Sequence, residues 1–134
     1  MDPAENRPPE AELEILACLW QHGQATARQI REIIGAYRPM SHGAAVTLLK
    51  RLEDKGMVAK EKGPVGKAFV YRATNSPRPT YRRILRDLTQ RIFGGNSLEM
   101  VSTFFDAKPP TPKELDQLQT MLDKMRKDAG QAGQ

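Results

Sequence analysis

Between Glu10 and Arg72 the apolar residues change their period once, and that change restricts the fold more than any other feature of the chain. Before Gly56 they recur at the three-to-four-residue spacing of a helix face. Leu13, Leu16, Ala17 and Trp20 form a first stripe, closed by His22-Gly23, with Gly23 suited to a left-handed cap. Thr26 with Gln29 three residues on is a capping box, and it opens a second helix over residues 27–34 that buries Ala27, Ile30 and Ile34. Gly35 closes that helix and Pro39 forbids its continuation. Ser41 is the N-cap of a third helix, with Ala45, Leu48, Leu49 and Leu52 as its stripe and Gly56 as its end. After Gly56 the period falls to two. Residues 57–62 read as a strand, Gly63-Pro64-Val65-Gly66 as a turn and residues 67–72 as a returning strand, with Phe69 and Tyr71 on its half-buried side.

Helices followed at once by a hairpin make a helix-turn-helix with a wing. The expected fold class is mainly α, an α+β winged helix-turn-helix, with a C-terminal helical dimerisation domain. Residues 1–9, with three prolines, are expected to form a flexible arm, residues 10–76 the winged head, residues 77–128 the dimerisation domain and residues 129–134 a disordered tail. Asn75-Ser76-Pro77-Arg78-Pro79 reads as the hinge between them. Beyond it, residues 80–93 and 97–106 read as helices separated by Gly94-Gly95. Lys108-Pro109-Pro110 breaks the second of these, and Thr111 with Glu114 is a capping box for a last helix. Leu88, Ile92 and Phe93, then Leu98, Val101, Phe104 and Phe105, then Leu115, Leu118, Leu122 and Met125 supply apolar stripes. Three thin helices cannot bury those stripes in one layer, and the last stripe has the seam spacing of a helix pair. A homodimer is the economical solution; folding back on the head as a monomer is the alternative.

Charge narrows the partner. The net charge is +5, and it is uneven: residues 1–23 carry −4, residues 24–76 carry +6 and residues 77–134 carry +3. A basic middle third points to a polyanion. On the third helix the face opposite the core stripe presents Gly43, Val46, Thr47 and Lys50, with His42 and Ala44 near its amino end. Small or polar residues let a helix lie deep in a major groove. Lys50 can reach a guanine edge or a phosphate, Thr47 a base or phosphate, and Val46 a thymine methyl. Ser41 begins this face and Arg51 sits at its margin, where pairing with Glu32 or Glu53 is the alternative to a DNA contact. Lys60, Lys62 and Lys67 on the hairpin suit phosphate tracking; a solvated hairpin tip is the bland reading of the same residues. Arg28 and Arg31 on the second helix are placed for the flanking backbone. The expected partner is an operator in double-stranded DNA; a winged-helix protein-interaction module without operator binding is the alternative.

Other classes find little support. No Gly-x-Ser-x-Gly elbow, phosphate-cradling Gly-Lys-Ser/Thr loop or His-Glu-x-x-His pair occurs, so no enzyme is expected. Glu53-Asp54 are adjacent on a helix and point apart. One cysteine and two histidines give no closed thiolate metal site and no intramolecular disulfide, and no cofactor is expected. Cys18 reads as a core filler. No apolar run reaches the length of a membrane span, and the N-terminus has no signal-peptide core, so a cytoplasmic setting without membrane insertion is expected.

The residues also resemble a known family, that of the penicillinase and methicillin-resistance repressors. Ala11-Glu12-Leu13-Glu14-Ile15-Leu16 through Leu19-Trp20 resembles its opening, as does Ala25-Thr26 followed by Arg28 and Ile30. Val46-Thr47-Leu48-Leu49-Lys50-Arg51-Leu52-Glu53-Asp54-Lys55-Gly56 is similar to its third-helix signature. Phe69-Val70-Tyr71-Arg72 and Ile92-Phe93-Gly94-Gly95-Asn96-Ser97 resemble its wing and dimer-domain segments. The resemblance runs from Ala11 to Met125 and implies a dimeric repressor that binds operators. It further implies release through a sensor-protease system, with cleavage in a stretch that corresponds here to residues 101–105. Ala44 stands where family members often carry Thr, so the operator sequence does not transfer. The Cys-x-Cys motifs of the copper-responsive branch are missing, which excludes copper sensing. Pro109-Pro110 is a further departure.

Overall fold

In a computed structural model, residues 10–64, 66 and 68–132 are described. The elements run α1 (Glu10–His22), β1 (Ala25–Thr26), α2 (Ala27–Ile34), α3 (His42–Asp54), β2 (Val58–Lys62), β3 (Phe69–Ala73), α4 (Arg78–Arg91), α5 (Ser97–Ala107) and α6 (Pro112–Ala132). The order is the expected winged helix, with one strand more than the sequence announced. Ala25 and Thr26 pair antiparallel with Tyr71 and Val70 on the outer side of β3, giving a sheet in the order β1-β3-β2. On the other side β2 and β3 form the hairpin, with Val58 opposite Ala73 and Lys62 opposite Phe69.

The chain divides into two compact units, residues 1–81 and 82–134. The division falls inside α4. Its helix starts at Arg78, with Pro79 at the second position, where a missing N–H costs no intrahelical bond.

The first unit closes around Ile15, Leu16, Leu19, Ile30, Ile34, Leu49 and Leu52, with Ala25, Ala27, Val58 and Tyr71 at its border. α1 presents a different face from the expected one. It buries Glu12, Ile15, Leu16, Cys18 and Leu19, while Leu13, Ala17 and Trp20 are only half-buried. The cause is Glu12. Its carboxylate is fully inside and accepts from the Lys55 ammonium at 3.1 and 3.3 Å. A charge buried this way needs its partner, and a carboxylate in an apolar stripe hides the stripe from a periodicity reading. Trp20 instead spans the edge. Its indole N–H donates to the Asn75 carbonyl at 3.0 Å and its ring meets Tyr81 edge-on, centroids 5.7 Å apart.

Caps fix the helix starts. Thr26 Oγ1 accepts from the Gln29 amide at 3.1 Å while Gln29 Oε1 accepts from the Thr26 amide at 2.8 Å, the reciprocal box that the sequence predicts. Ser41 Oγ accepts from the Ala44 amide at 3.1 Å and starts α3. Gly56 ends it at φ 76°, a conformation that a side chain disfavours, and Met57 follows directly into β2.

Among the described residues of the second unit none is fully buried. Its helices surround a cleft of about 600 Å³ lined almost wholly by carbon. Thr111 and Glu114 form the predicted capping box of α6, with bonds of 3.0 and 3.1 Å. The expected tail disorder from Ala129 is not met up to Ala132, because α6 continues through Gly130. One glycine costs a helix about 1 kcal/mol, which alanine and glutamine neighbours can offset. The N-terminal arm expected over residues 1–9 lies outside the described residues.

Candidate nucleic-acid interface

α3 is anchored from behind and open in front. Ala45, Leu49 and Leu52 are fully buried, which fixes the helix rotation. The same rotation exposes Ser41, His42, Gly43, Ala44, Val46, Thr47, Lys50 and Arg51. The face named from the sequence is therefore a real surface, narrow at its amino end. Val46 is 38% exposed, an apolar side chain left in solvent. At Gly43 an added Cβ would meet nothing within 4 Å, so its small size opens space for a neighbour.

The hairpin stands beside this helix. Arg28, His42, Val46, Lys60 and Phe69 line a shared groove of about 400 Å³, with Thr26, Ala27, Ala68 and Tyr71 forming the rest of its wall. The structure thus brings four predicted residues together: Arg28, His42, Val46 and Lys60. Ser41, Gly43, Thr47, Lys50 and Arg51 continue the exposed surface of α3 outside the groove. Lys62 is exposed near the hairpin tip, and Lys67 lies outside the described residues.

Phe69 departs from expectation. It is 40% exposed, while Tyr71 two residues later is buried. Phe69 pairs with Lys62 at the turn end of the hairpin, on the wall of the groove it shares with His42 and Val46, and the Lys60 ammonium sits 4.6 Å above its ring. That contact holds Lys60 by cation–π attraction. An aromatic two residues from a buried one, next to a lysine strand, is the signal that could have separated it from the core.

Several of the cations already have carboxylate neighbours. Arg28 Nε lies 3.2 Å from Glu32, Lys50 Nζ 3.7 Å from Asp54 and Lys60 Nζ 3.8 Å from Glu53. Glu53 therefore serves Lys60, and Arg51 pairs with neither Glu32 nor Glu53, contrary to the alternative read for it. Exposed pairs of this kind are worth about 0–1 kcal/mol, so a phosphate can displace the carboxylate at small cost. Arg31 serves another purpose than flanking contact. Its Nε donates to the Met40 carbonyl at 3.1 Å and ties the turn between α2 and α3. Burial, aided by the Glu53 charge, pushes the Tyr71 hydroxyl up, and burial pushes the Cys18 thiol up, so both stay neutral.

The apolar stripes of the second unit lie as follows. Leu88, Phe93, Val101, Phe104, Phe105 and Leu118 line the apolar cleft. Ile92, Leu98, Leu115, Leu122 and Met125 lie outside it and are more than half exposed. Phe104 and Phe105 pack edge-on at 5.1 Å. Among the described residues no group of three or more His, Cys, Asp or Glu side chains could hold a metal ion, and no helix is long and apolar enough to cross a membrane.

A capped helix with an open small-residue face, flanked by a lysine-bearing hairpin, defines a winged helix-turn-helix regulator. The comparison with protein families makes the class specific. The penicillinase repressor family matches residues 9–124, and the chain belongs to it. It is a winged-helix, DNA-binding transcriptional repressor and not an enzyme. The methicillin resistance regulatory protein MecI of Mammaliicoccus sciuri is 25% identical over 114 residues, which span 85% of this chain and 91% of that protein. Among solved structures, the YusO protein from Bacillus subtilis is similar with a TM-score of 0.55 at 18% identity, over 92% of this chain and 78% of its own. A mutant MarR from E. coli, complexed with operator DNA, is similar with a TM-score of 0.50 at 20% identity, over 87% of this chain and 74% of its own. Those two likenesses establish the fold.

Proposed function

We propose that the chain represses transcription as a homodimer that binds a palindromic operator, each protomer laying α3 in a major groove with the hairpin against the neighbouring backbone. The observation that carries this reading is the exposed face of Ser41, His42, Gly43, Ala44, Val46, Thr47, Lys50 and Arg51 on α3 and its cap, whose other side is locked into the core. On it Thr47, Val46 and Lys50 meet base edges, while Arg28, Lys60, Lys62 and Lys67 meet phosphates. The second unit supplies the pairing surface. A helical unit in which none of the described residues is fully buried can cover its apolar side chains with a second copy. Pairing sets two α3 helices about one DNA turn apart, which is why the site is palindromic.

Release by an inducing signal, such as cleavage by a sensor-protease system within residues 101–105, is part of the proposal and rests on the family's mode of control. These residues are helical in α5, with Val101 and Phe104 exposed. A protease needs extended backbone, so cleavage there requires local opening of α5.

Selection of genomic fragments with purified protein, followed by light scattering of the complex, tests the reading. It requires an inverted-repeat site and two chains per site. Fragments without internal symmetry, or a monomer at micromolar concentration, would overturn it. Failure to retain any fragment against heparin would favour the protein-interaction module instead.

A further inference from the structure

The excess positive charge outside the head has a single source. α4 carries five arginines and one aspartate, whereas α5, α6 and their connections carry as many acidic as basic residues or more. Three of the arginines share one side of the helix. At 100° per residue, Arg82, Arg83 and Arg86 lie roughly 90–170° around the axis from the line through Leu85 and Leu88. Leu85 and Leu88 line the apolar cleft of the second unit. Arg82 and Arg86 are exposed and Arg83 is half-buried. The side-chain ion pairs Arg28–Glu32, Arg38–Glu10, Arg38–Glu14, Lys50–Asp54, Lys55–Glu12 and Lys60–Glu53 all lie outside α4, and Asp87, four residues after Arg83, is an engaged carboxylate on the same helix.

This pattern does nothing for the helix itself. Arg82 and Arg86 are four residues apart, where like charges repel. Asp87 is the single acidic residue of α4 against five arginines, whereas Arg28–Glu32 and Lys50–Asp54 match charge for charge. A second copy seated on the apolar cleft approaches the opposite side of α4 and leaves the arginines open. The side chains are all arginine, whose planar fork matches phosphate oxygens two at a time. We propose that Arg82, Arg83 and Arg86 form a second phosphate-binding surface, which grips the backbone of duplex DNA independently of α3 and the hairpin. The inference rests on the reading that this chain binds duplex DNA. The surface adds affinity and salt dependence without sequence discrimination, because phosphates carry no base identity.

The test uses the full chain and a long duplex of random sequence, titrated across a salt series. Each phosphate contact contributes about 0.9 to the slope of log affinity against log salt. The triple variant R82Q/R83Q/R86Q should lose roughly two to three units of slope, while R82K/R83K/R86K should keep most of it. R82Q/R86Q, which leaves the half-buried Arg83 in place, should lose roughly two units and guards against a folding defect, checked by helical circular dichroism. An unchanged slope in the glutamine variants overturns the proposal and leaves the DNA reading of α3 standing. Unchanged slope with a lower mass by light scattering assigns the arginines to a second copy instead. Wild-type protein that binds no duplex at all overturns both readings.

Discussion

The two units of this chain solve the burial problem in different ways. The first encloses Ile15, Leu16, Leu19, Ile30, Ile34, Leu49 and Leu52 with next to no solvent contact. The second has three helices and leaves Ile92, Leu98 and Phe104 at 71%, 80% and 60% exposure. The contrast lies in what the elements enclose. In the head, three helices and a sheet meet from several directions, so each stripe finds an opposing surface. In the second unit the helices have an open cleft where the head has a core. The head's core is closed, whereas the apolar cleft of the second unit is open.

The same substitution in each unit gives the sharpest test of that contrast. Leu49→Ala removes a fully buried side chain and should cost about 2–5 kcal/mol, read as a loss of thermal stability that does not vary with protein concentration. Leu118→Ala removes the same atoms from the cleft. If the proposed homodimer forms over this cleft, the cost should be small at low concentration and grow with concentration, because stability gained from a partner follows mass action. A Leu118→Ala loss as large as that of Leu49→Ala at every concentration would mean that the second unit is complete within one chain.

The buried ion pair gives the next largest effect, and it is asymmetric. The Glu12 side chain is 1% exposed and that of Lys55 is 40% exposed. Lys55→Met strands a carboxylate inside the head and should cost about 3 kcal/mol or more. Glu12→Gln leaves an ammonium that can swing into water and should cost clearly less. Denaturant melts of the two variants check the order; equal losses would mean that the carboxylate reaches solvent when its partner is gone.

Much of the head was legible because its signals are local. Thr26 with Gln29, Ser41, Gly23 and Gly56 mark helix ends through bonds to near neighbours, and the structure makes those bonds. What escaped depends on distant partners. β1 has two residues, too few for alternation, and exists only because β3 lies beside it. The buried face of α1 was misphased because Glu12 becomes a core residue only through Lys55, far along the chain. Phe69 looked like core because alternation says which side of a strand a residue occupies and not whether anything covers that side. The exposed face of α3 followed from its phasing. The carboxylates beside Arg28, Lys50 and Lys60, and the tie from Arg31 to Met40, are rotamer choices that spacing alone left open. The arginines of α4 lie outside the most basic third of the chain, and only helical phasing gathers three of them on one side.

A smaller effect compares the reciprocal capping boxes of the two units. Thr26→Ala removes the oxygen that holds the Gln29 amide and should cost about 1 kcal/mol. α2 is short and packed, so the loss should appear as a lower melting temperature of the head with no change in its helix content below the transition. Fraying of α2 at low temperature would mean that packing against α1 and α3 does not hold the helix in place.

The corresponding box in the second unit differs because it titrates. Bonds from the Thr111 amide and hydroxyl side, with Lys108 nearby, hold the Glu114 carboxyl below the usual glutamate range. A lowered pKa in the folded state means that the carboxylate form is the one the fold prefers, so the stabilisation is full above the ordinary glutamate pKa and fades as the pH falls through the lowered one. The group is exposed, so the effect on stability is slight. It should be visible as a loss of α6 helicity on acidification that Glu114→Gln removes, since glutamine can still accept from the Thr111 amide without titrating. In the head, Gln29 holds the equivalent place and already lacks a titrating group, so the cap of α2 should be indifferent to the same acid. An α6 that loses no more helix in acid than its Glu114→Gln variant would show that the box, though formed, does not limit the helix start.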